Sequence, residues 1–149
     1  MGYGKNPNAP ARSQGQGRDT AMARILVIDD DEMVRFTLEH ILKSGGHEVV
    51  AAASGGEGLR LQRETPFDLV ITDILMPEQD GIETIRILHA DFPKLPILAV
   101  SGGGRTGNMD FLDMARTFGA VMTVPKPFTP EGILGGVELA RMDAAPTRH

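Results

Sequence analysis

Five short apolar runs recur along the chain, and they constrain its fold more than any other feature. They are RILVID (24–29), HEVVAAA (47–53), FDLVIT (67–72), PILAVS (96–101) and AVMTV (120–124). Near-continuous apolar character, rather than strict alternation, marks strands covered on both faces, as in a parallel sheet. The text between them reads as helix. Residues 31–44 place Val34, Leu38, Ile41 and Leu42 on one face and stop at Gly45-Gly46, a C-cap signal. Residues 55–64 follow Ser54, a favoured N-cap. Residues 81–90 carry Ile82, Ile85 and Leu88 (or Ile87) at helical spacing, and residues 108–117 put Phe111, Leu112, Ala115 and Phe118 on one side. A last helix opens with Thr129 as N-cap, Pro130 at the first helical position and Glu131 in the first turn. Within it, Gly135 and Gly136 weaken the helix by up to about 1 kcal/mol each relative to alanine.

Five strand–helix units in a row predict an α/β fold: a doubly wound five-stranded parallel sheet with helices on both faces. The order 2-1-3-4-5, the flavodoxin-like one, is expected, although sequence alone leaves other orders open. With 149 residues there is room for one domain with a real core. Residues 1–22 are poor in apolar side chains and read as a disordered tail or a leader, with Met22 itself a plausible start. The domain is expected over 23–141, with 142–149 frayed. No apolar run approaches the roughly 18 residues that span a bilayer, no secretory signal opens the chain, and there is no cysteine. A soluble cytoplasmic protein is the expectation. Residues 1–22 hold Lys5, Arg12, Arg18 and Asp19, a net +2, which leaves −7 on the rest. An acidic body argues against a nucleic-acid partner.

Polar residues gather where these strands end. Strand 1 ends in Asp29-Asp30, strand 3 in Thr72-Asp73, strand 4 in Ser101 and strand 5 in Pro125-Lys126-Pro127. In open α/β sheets ligands sit beyond the carboxyl ends of the strands, at the switch point. Order 2-1-3-4-5 makes strands 1 and 3 neighbours there, so three carboxylates, a hydroxyl and an ammonium converge on one rim. Carboxylates about 5 Å apart repel by roughly 3 kcal/mol at an effective dielectric near 20. Such a cluster is tolerable around a hard dication, and oxygen ligands completed by water suit Mg2+. Lys126 and Ser101 would then hold the oxygens of a phosphoryl group. A carboxylate so placed can attack phosphorus and form an acyl phosphate. Asp73, alone at its strand end and followed by ILMPEQDG, is the candidate that both binds metal and faces the phosphoryl group. Asp31 reads as the N-cap of the first helix.

In ILVIDDDE (25–32), LVITDILMPEQDGIE (69–83), PILAVSGG (96–103) and VPKPFT (124–129), taken together and in this order, the chain resembles the receiver domain of two-component response regulators. The resemblance covers about residues 23–141. It implies that Asp73 is the phosphoacceptor and that Asp30, Asp73 and the backbone carbonyl of Leu75 coordinate Mg2+, with Asp29 acting through a bound water. It implies that Ser101 and Lys126 contact the phosphoryl group and that the Lys126–Pro127 bond can be cis. The backbone N–H groups of Ile74 and Gly102 would complete the cradle. The implied donor is a phosphohistidine on a sensor histidine kinase or a histidine phosphotransfer protein. The implied output is a protein-binding surface formed by helix 4, strand 5 and helix 5, on a monomer or weak homodimer with no output domain of its own. Such a protein is a signalling receiver that catalyses only its own phosphorylation and slow dephosphorylation.

Three features depart from the family pattern. Thr123 stands where an aromatic switch residue is common. Leu75 and Gly103 occupy positions that tune hydrolysis, and neither can position water, so slow turnover of the acyl phosphate is expected. SGGGRTGN (101–108) is glycine-rich enough to suggest a segment that orders on phosphorylation. Other readings exist. GGGRTG (102–107) fits a dinucleotide fingerprint, but it follows the fourth strand and no acid lies about 20 residues on. Asp29 and Asp31 form the D-x-D of a haloacid-dehalogenase-like phosphatase, although Met33 stands where that family has Thr or Val. A receiver acting only as a binding module is the third alternative. His40, His47, His89 and His149 show no metal-ligand spacing.

Overall fold

The computed structural model describes residues 22–74, 81–101 and 115–144. Strands β1 (Arg24–Ile28), β2 (Glu48–Ala52), β3 (Leu69–Asp73), β4 (Ile97–Ser101) and β5 (Met122–Pro125) alternate with helices α1 (Glu32–Ser44), α2 (Gly55–Glu64), α3 (Gly81–Asp91), α4, of which helical residues 115–118 are described, and α5 (Pro130–Ala144). All four strand pairings are parallel, in the order β2-β1-β3-β4-β5. This is the expected doubly wound sheet. Residues 108–114 of the fourth helix expected from sequence lie outside the described residues.

The apolar runs become strands because both of their faces are covered. Along β1, Leu26 and Ile28 point into one core with Leu59 of α2 and Ile85 and Leu88 of α3. Ile25 and Val27 point into the other, with Leu38, Ile41 and Leu42 of α1 and Ile133, Val137 and Ala140 of α5. None of these four β1 side chains has any solvent exposure. At about 25 cal/mol per Å2 of apolar surface, burying such a side chain stabilises the fold by roughly 1.5–3 kcal/mol. The close approach of α2 to β1 needs a glycine. A Cβ on Gly58 would overlap the Ile28 side chain.

Helix ends follow the capping residues. The Asp31 carboxylate accepts from Met33 N–H at 2.9 Å, Ser54 Oγ accepts from Glu57 N–H at 3.1 Å, and Thr129 Oγ1 accepts from Gly132 N–H at 2.9 Å. Glu57 also accepts from Ala53 N–H at 3.0 Å, which ties the residue before the cap to the first turn. Each cap turns the chain sharply beyond a strand's carboxyl end, which leaves that rim of the sheet for side chains. Among the described residues, no helix is long and apolar enough to cross a membrane.

The opposite rim carries a buried histidine. His47 lies between α1 and β2, and its Nδ1 accepts from Ala23 N–H at 3.0 Å. Burial holds its pKa below the ordinary 6.5, the Arg141 charge on α5 lowers it further, and Glu138 opposes this. A depressed histidine favours the neutral ring, so its contribution is full above the unfolded value and falls away as pH drops below it. Urea unfolding between pH 7 and 5 is therefore expected to show a loss of stability that flattens in His47→Asn, whose amide oxygen can take the same bond. Equal slopes would contradict this. On α5, a Cβ at Gly135 meets nothing within 4 Å, whereas one at Gly136 comes 3.2 Å from Leu98 Cδ1. Gly135→Ala is expected to stabilise the fold by about 0.5–1 kcal/mol in the same assay, and Gly136→Ala by less.

Candidate functional site

The carboxyl-end rim of β1 and β3 brings together the acids singled out from sequence. Asp29 follows the last residue of β1, and its N–H continues the ladder by donating to Ala52 carbonyl at 3.1 Å. It is 1% exposed. Asp30 is exposed, and Asp73 closes β3 at 6% exposure. One carboxylate oxygen from each of the three lies within 4.8 Å of the others. Two charges about 4–5 Å apart repel by about 3–4 kcal/mol at an effective dielectric near 20. Burial pushes the Asp29 carboxyl above its ordinary 3.8; the Asp31 N–H and Lys126 oppose that, and the neighbouring Asp30 charge adds to it.

Lys126 is the cation facing this cluster. It follows β5, and its Nζ stands 3.4 Å from Asp29 Oδ2 and 3.8 Å from Asp73 Oδ1. The second distance is an ion pair too long for a hydrogen bond. The Lys126–Pro127 peptide is cis. Ser101 is the last residue of β4, paired with Pro125. Thr72 is fully buried, and its hydroxyl donates to the Asp73 carbonyl at 3.1 Å.

The backbone after Asp73 is tightly held. Ile74 N–H donates to Val100 carbonyl at 3.0 Å, and Ile74 carbonyl accepts from Gly81 N–H at 2.6 Å. The expected role of the Ile74 N–H in a phosphoryl cradle would thus compete with a ladder bond. A Cβ on Gly81 would overlap the Asp73 carbonyl, so only glycine lets α3 start there. Leu75, Gly102 and Gly103, and with them the loop 102–108, lie outside the described residues.

The donor set fits a hard dication. It offers only carboxylate oxygens, from two adjacent strand tips, at ligand spacing and with two buried members, Asp29 and Asp73. Asp31, the second acid of the D-x-D reading, is exposed and caps α1, and its carboxylate is not among the converging three.

Two features were not selected from the sequence. Arg35 Nη1 donates to the Asp29 carbonyl at 2.8 Å. The available signal was its place in the second turn of α1, from which a helical side chain leans back toward the N-terminus. Beside Lys126 lies a cavity of about 320 Å3 lined by Met33, Val34, Thr37, Lys126, Pro127 and Phe128. Met33, in its lining, and Phe36, on the same helix, stay 68% and 64% exposed, which alternating hydrophobicity alone does not flag.

Comparison with known proteins agrees with this geometry. Residues 25–138 match the response regulator receiver domain family. The fold superimposes on a response regulator receiver domain protein from Clostridium thermocellum with a TM-score of 0.70 and 31% identity, covering 82% of this chain and 93% of that one. It also superimposes on the Vibrio cholerae chemotaxis protein CheY4 with a TM-score of 0.72 and 30% identity, covering 80% and 99%. The response regulator protein FleR of Pseudomonas aeruginosa is 33% identical over 112 residues, 75% of this chain. The chain spans from 23% to 50% of the length of such curated relatives. With three acids meeting at the tips of β1 and β3 and a match over most of its length, this chain belongs to the response regulator receiver domain family and is a phosphoacceptor of that kind.

Proposed function

We propose that the chain takes a phosphoryl group from a phosphohistidine onto Asp73 in a Mg2+-dependent reaction and passes the signal on through a protein-binding surface. One observation carries this reading. The buried Asp73 carboxylate lies within 4.8 Å of the two acids of the β1 tip and 3.8 Å from Lys126 Nζ. Asp30, Asp73 and the Leu75 carbonyl would hold the ion, with Asp29 reaching it through water. Bound Mg2+ supplies positive charge that offsets the acids and the charge on the phosphoryl oxygens.

The protein's own groups then position the reaction. An Asp73 carboxylate oxygen attacks phosphorus, the P–N bond of the donor breaks, and its electron pair stays on the imidazole nitrogen, which takes up a proton. Lys126 leaves Asp29 to pair with a phosphoryl oxygen, and the Ser101 hydroxyl and Gly102 N–H donate to the others. The Ile74 N–H joins them only by exchanging its bond to Val100. The apolar cavity beside Lys126, lined in part by exposed Met33, supplies a face on which a kinase or phosphotransfer helix can lie. The output surface is assigned to α4, β5 and α5. Half-buried Thr123 on β5 makes an aromatic rotamer switch unavailable there.

Incubation with acetyl phosphate and Mg2+ is expected to give an acid-stable, base-labile adduct that mass spectrometry locates at Asp73. Asp73→Asn abolishes it, and Lys126→Ala slows it by about a hundredfold. An adduct on Asp29 with steady turnover would support the phosphatase reading instead. No adduct at all would leave a binding module.

A further inference from the structure

We propose that Arg35 is a positioning residue for the acceptor site: its guanidinium holds the turn that aims Asp29 and Asp30 at the same point as Asp73. The inference rests on reading that cluster as the metal and phosphoryl site. Consecutive residues of an extended strand point to opposite faces. Two successive acids can therefore share one ligand point only if the chain turns between them. That turn is held by bonds converging on Asp29. Its Oδ1 accepts from Asp31 N–H at 2.9 Å and its Oδ2 from Lys126 Nζ at 3.4 Å. Its own N–H is taken up by Ala52. Its carbonyl lies past the last paired residue of β1, Ile28, and there Arg35 Nη1 supplies the donor at 2.8 Å.

Arg35 is in the second turn of α1, half-buried, and its side chain reaches back to the residue before the cap. The bond it makes ties α1 to the tip of β1, and its backbone N–H donates to the Asp31 carbonyl at 3.0 Å in the same turn. One residue thus braces both sides of the Asp29–Asp31 segment. Lys126, from the segment between β5 and α5, holds the Asp29 side chain, while Arg35 holds its carbonyl.

Charge and position act in opposite directions, which makes the proposal testable. A guanidinium near three acids repels an incoming dication, so as a mere charge its removal tightens Mg2+ binding. As a brace, its removal weakens binding. Calorimetric Mg2+ titration of the full chain compares wild type, Arg35→Met, which keeps the stem, and Arg35→Lys, which keeps the charge and a donor. Arg35→Met is expected to bind Mg2+ about tenfold more weakly, with Arg35→Lys in between. Its metal-free melting temperature is expected within about 5 °C of wild type. In metal-free protein, amide exchange at Asp31, whose N–H bonds Asp29, is expected to accelerate in Arg35→Met while amides of β3 and β4 do not change. Equal or tighter Mg2+ binding by Arg35→Met would overturn the proposal. So would unchanged Asp31 exchange, or acceleration across the whole sheet with a collapse in melting temperature. If wild type shows no Mg2+ binding that Asp30→Asn removes, the reading of the acid cluster has failed, and the Asp31 exchange still decides whether Arg35 holds the turn.

Discussion

Mutual repulsion among Asp29, Asp30 and Asp73 is the constraint around which this molecule is arranged. A parallel sheet places the carboxyl ends of neighbouring strands side by side, and the β2-β1-β3-β4-β5 order makes β1 and β3 adjacent. Acids that sit far apart in sequence therefore meet within 4.8 Å. The fold tolerates this because Lys126 arrives from β5 on the same rim and because the Asp31 N–H and Arg35 bond Asp29. Buried against the sheet, the Asp29 carboxyl is held above its ordinary pKa. The cluster is thus poorly matched to an empty state and well matched to one in which positive charge or phosphoryl chemistry enters.

The core makes that arrangement rigid. Two apolar layers sandwich the strands, so the β1 and β3 tips cannot splay without exposing Ile28 or Ile71, both fully buried. Gly81 seats α3 directly against the Asp73 carbonyl, and Thr72 bonds that same carbonyl. The acceptor therefore rests on backbone contacts rather than on a flexible loop, which is where a group required at a fixed distance from a metal belongs. Among the described residues, the exposed large apolar side chains belong to α1, α5 and Met22, and none to α2 or α3. This asymmetry separates a face available to partners from one that only covers the sheet.

Much of this was legible in the chain. Continuous apolar runs announced the buried parallel strands, and Asp31, Ser54 and Thr129 marked helix starts that the structure bears out as caps. The convergence of Asp29, Asp30 and Asp73 followed from strand order alone, because rim position depends only on where each run ends. The limits have physical causes as well. Strand β3 runs through Asp73, one residue beyond its apolar run, because ladder bonds do not require an apolar side chain. Strand β5 begins at Met122 rather than Ala120, since Ala120 N–H bonds back to Ala115 at the end of α4. Arg35 left only its place early in α1 as a signal, because a bond from a helix side chain to a strand carbonyl leaves no periodic trace. The Gly81 contact was hidden for a similar reason, since Asp80-Gly81 reads equally well as an ordinary turn.

The central claim is that the acids are gathered for a dication at a cost to the metal-free fold. Urea unfolding of wild type and Asp30→Asn, with and without Mg2+, tests it most directly. Wild type is expected to gain about 1.4 kcal/mol at a Mg2+ concentration about ten times its dissociation constant. Asp30→Asn is expected to be more stable than wild type without metal, and to gain almost nothing when Mg2+ is added. Identical wild-type curves with and without saturating Mg2+, or an Asp30→Asn protein less stable than wild type in its absence, would contradict the account.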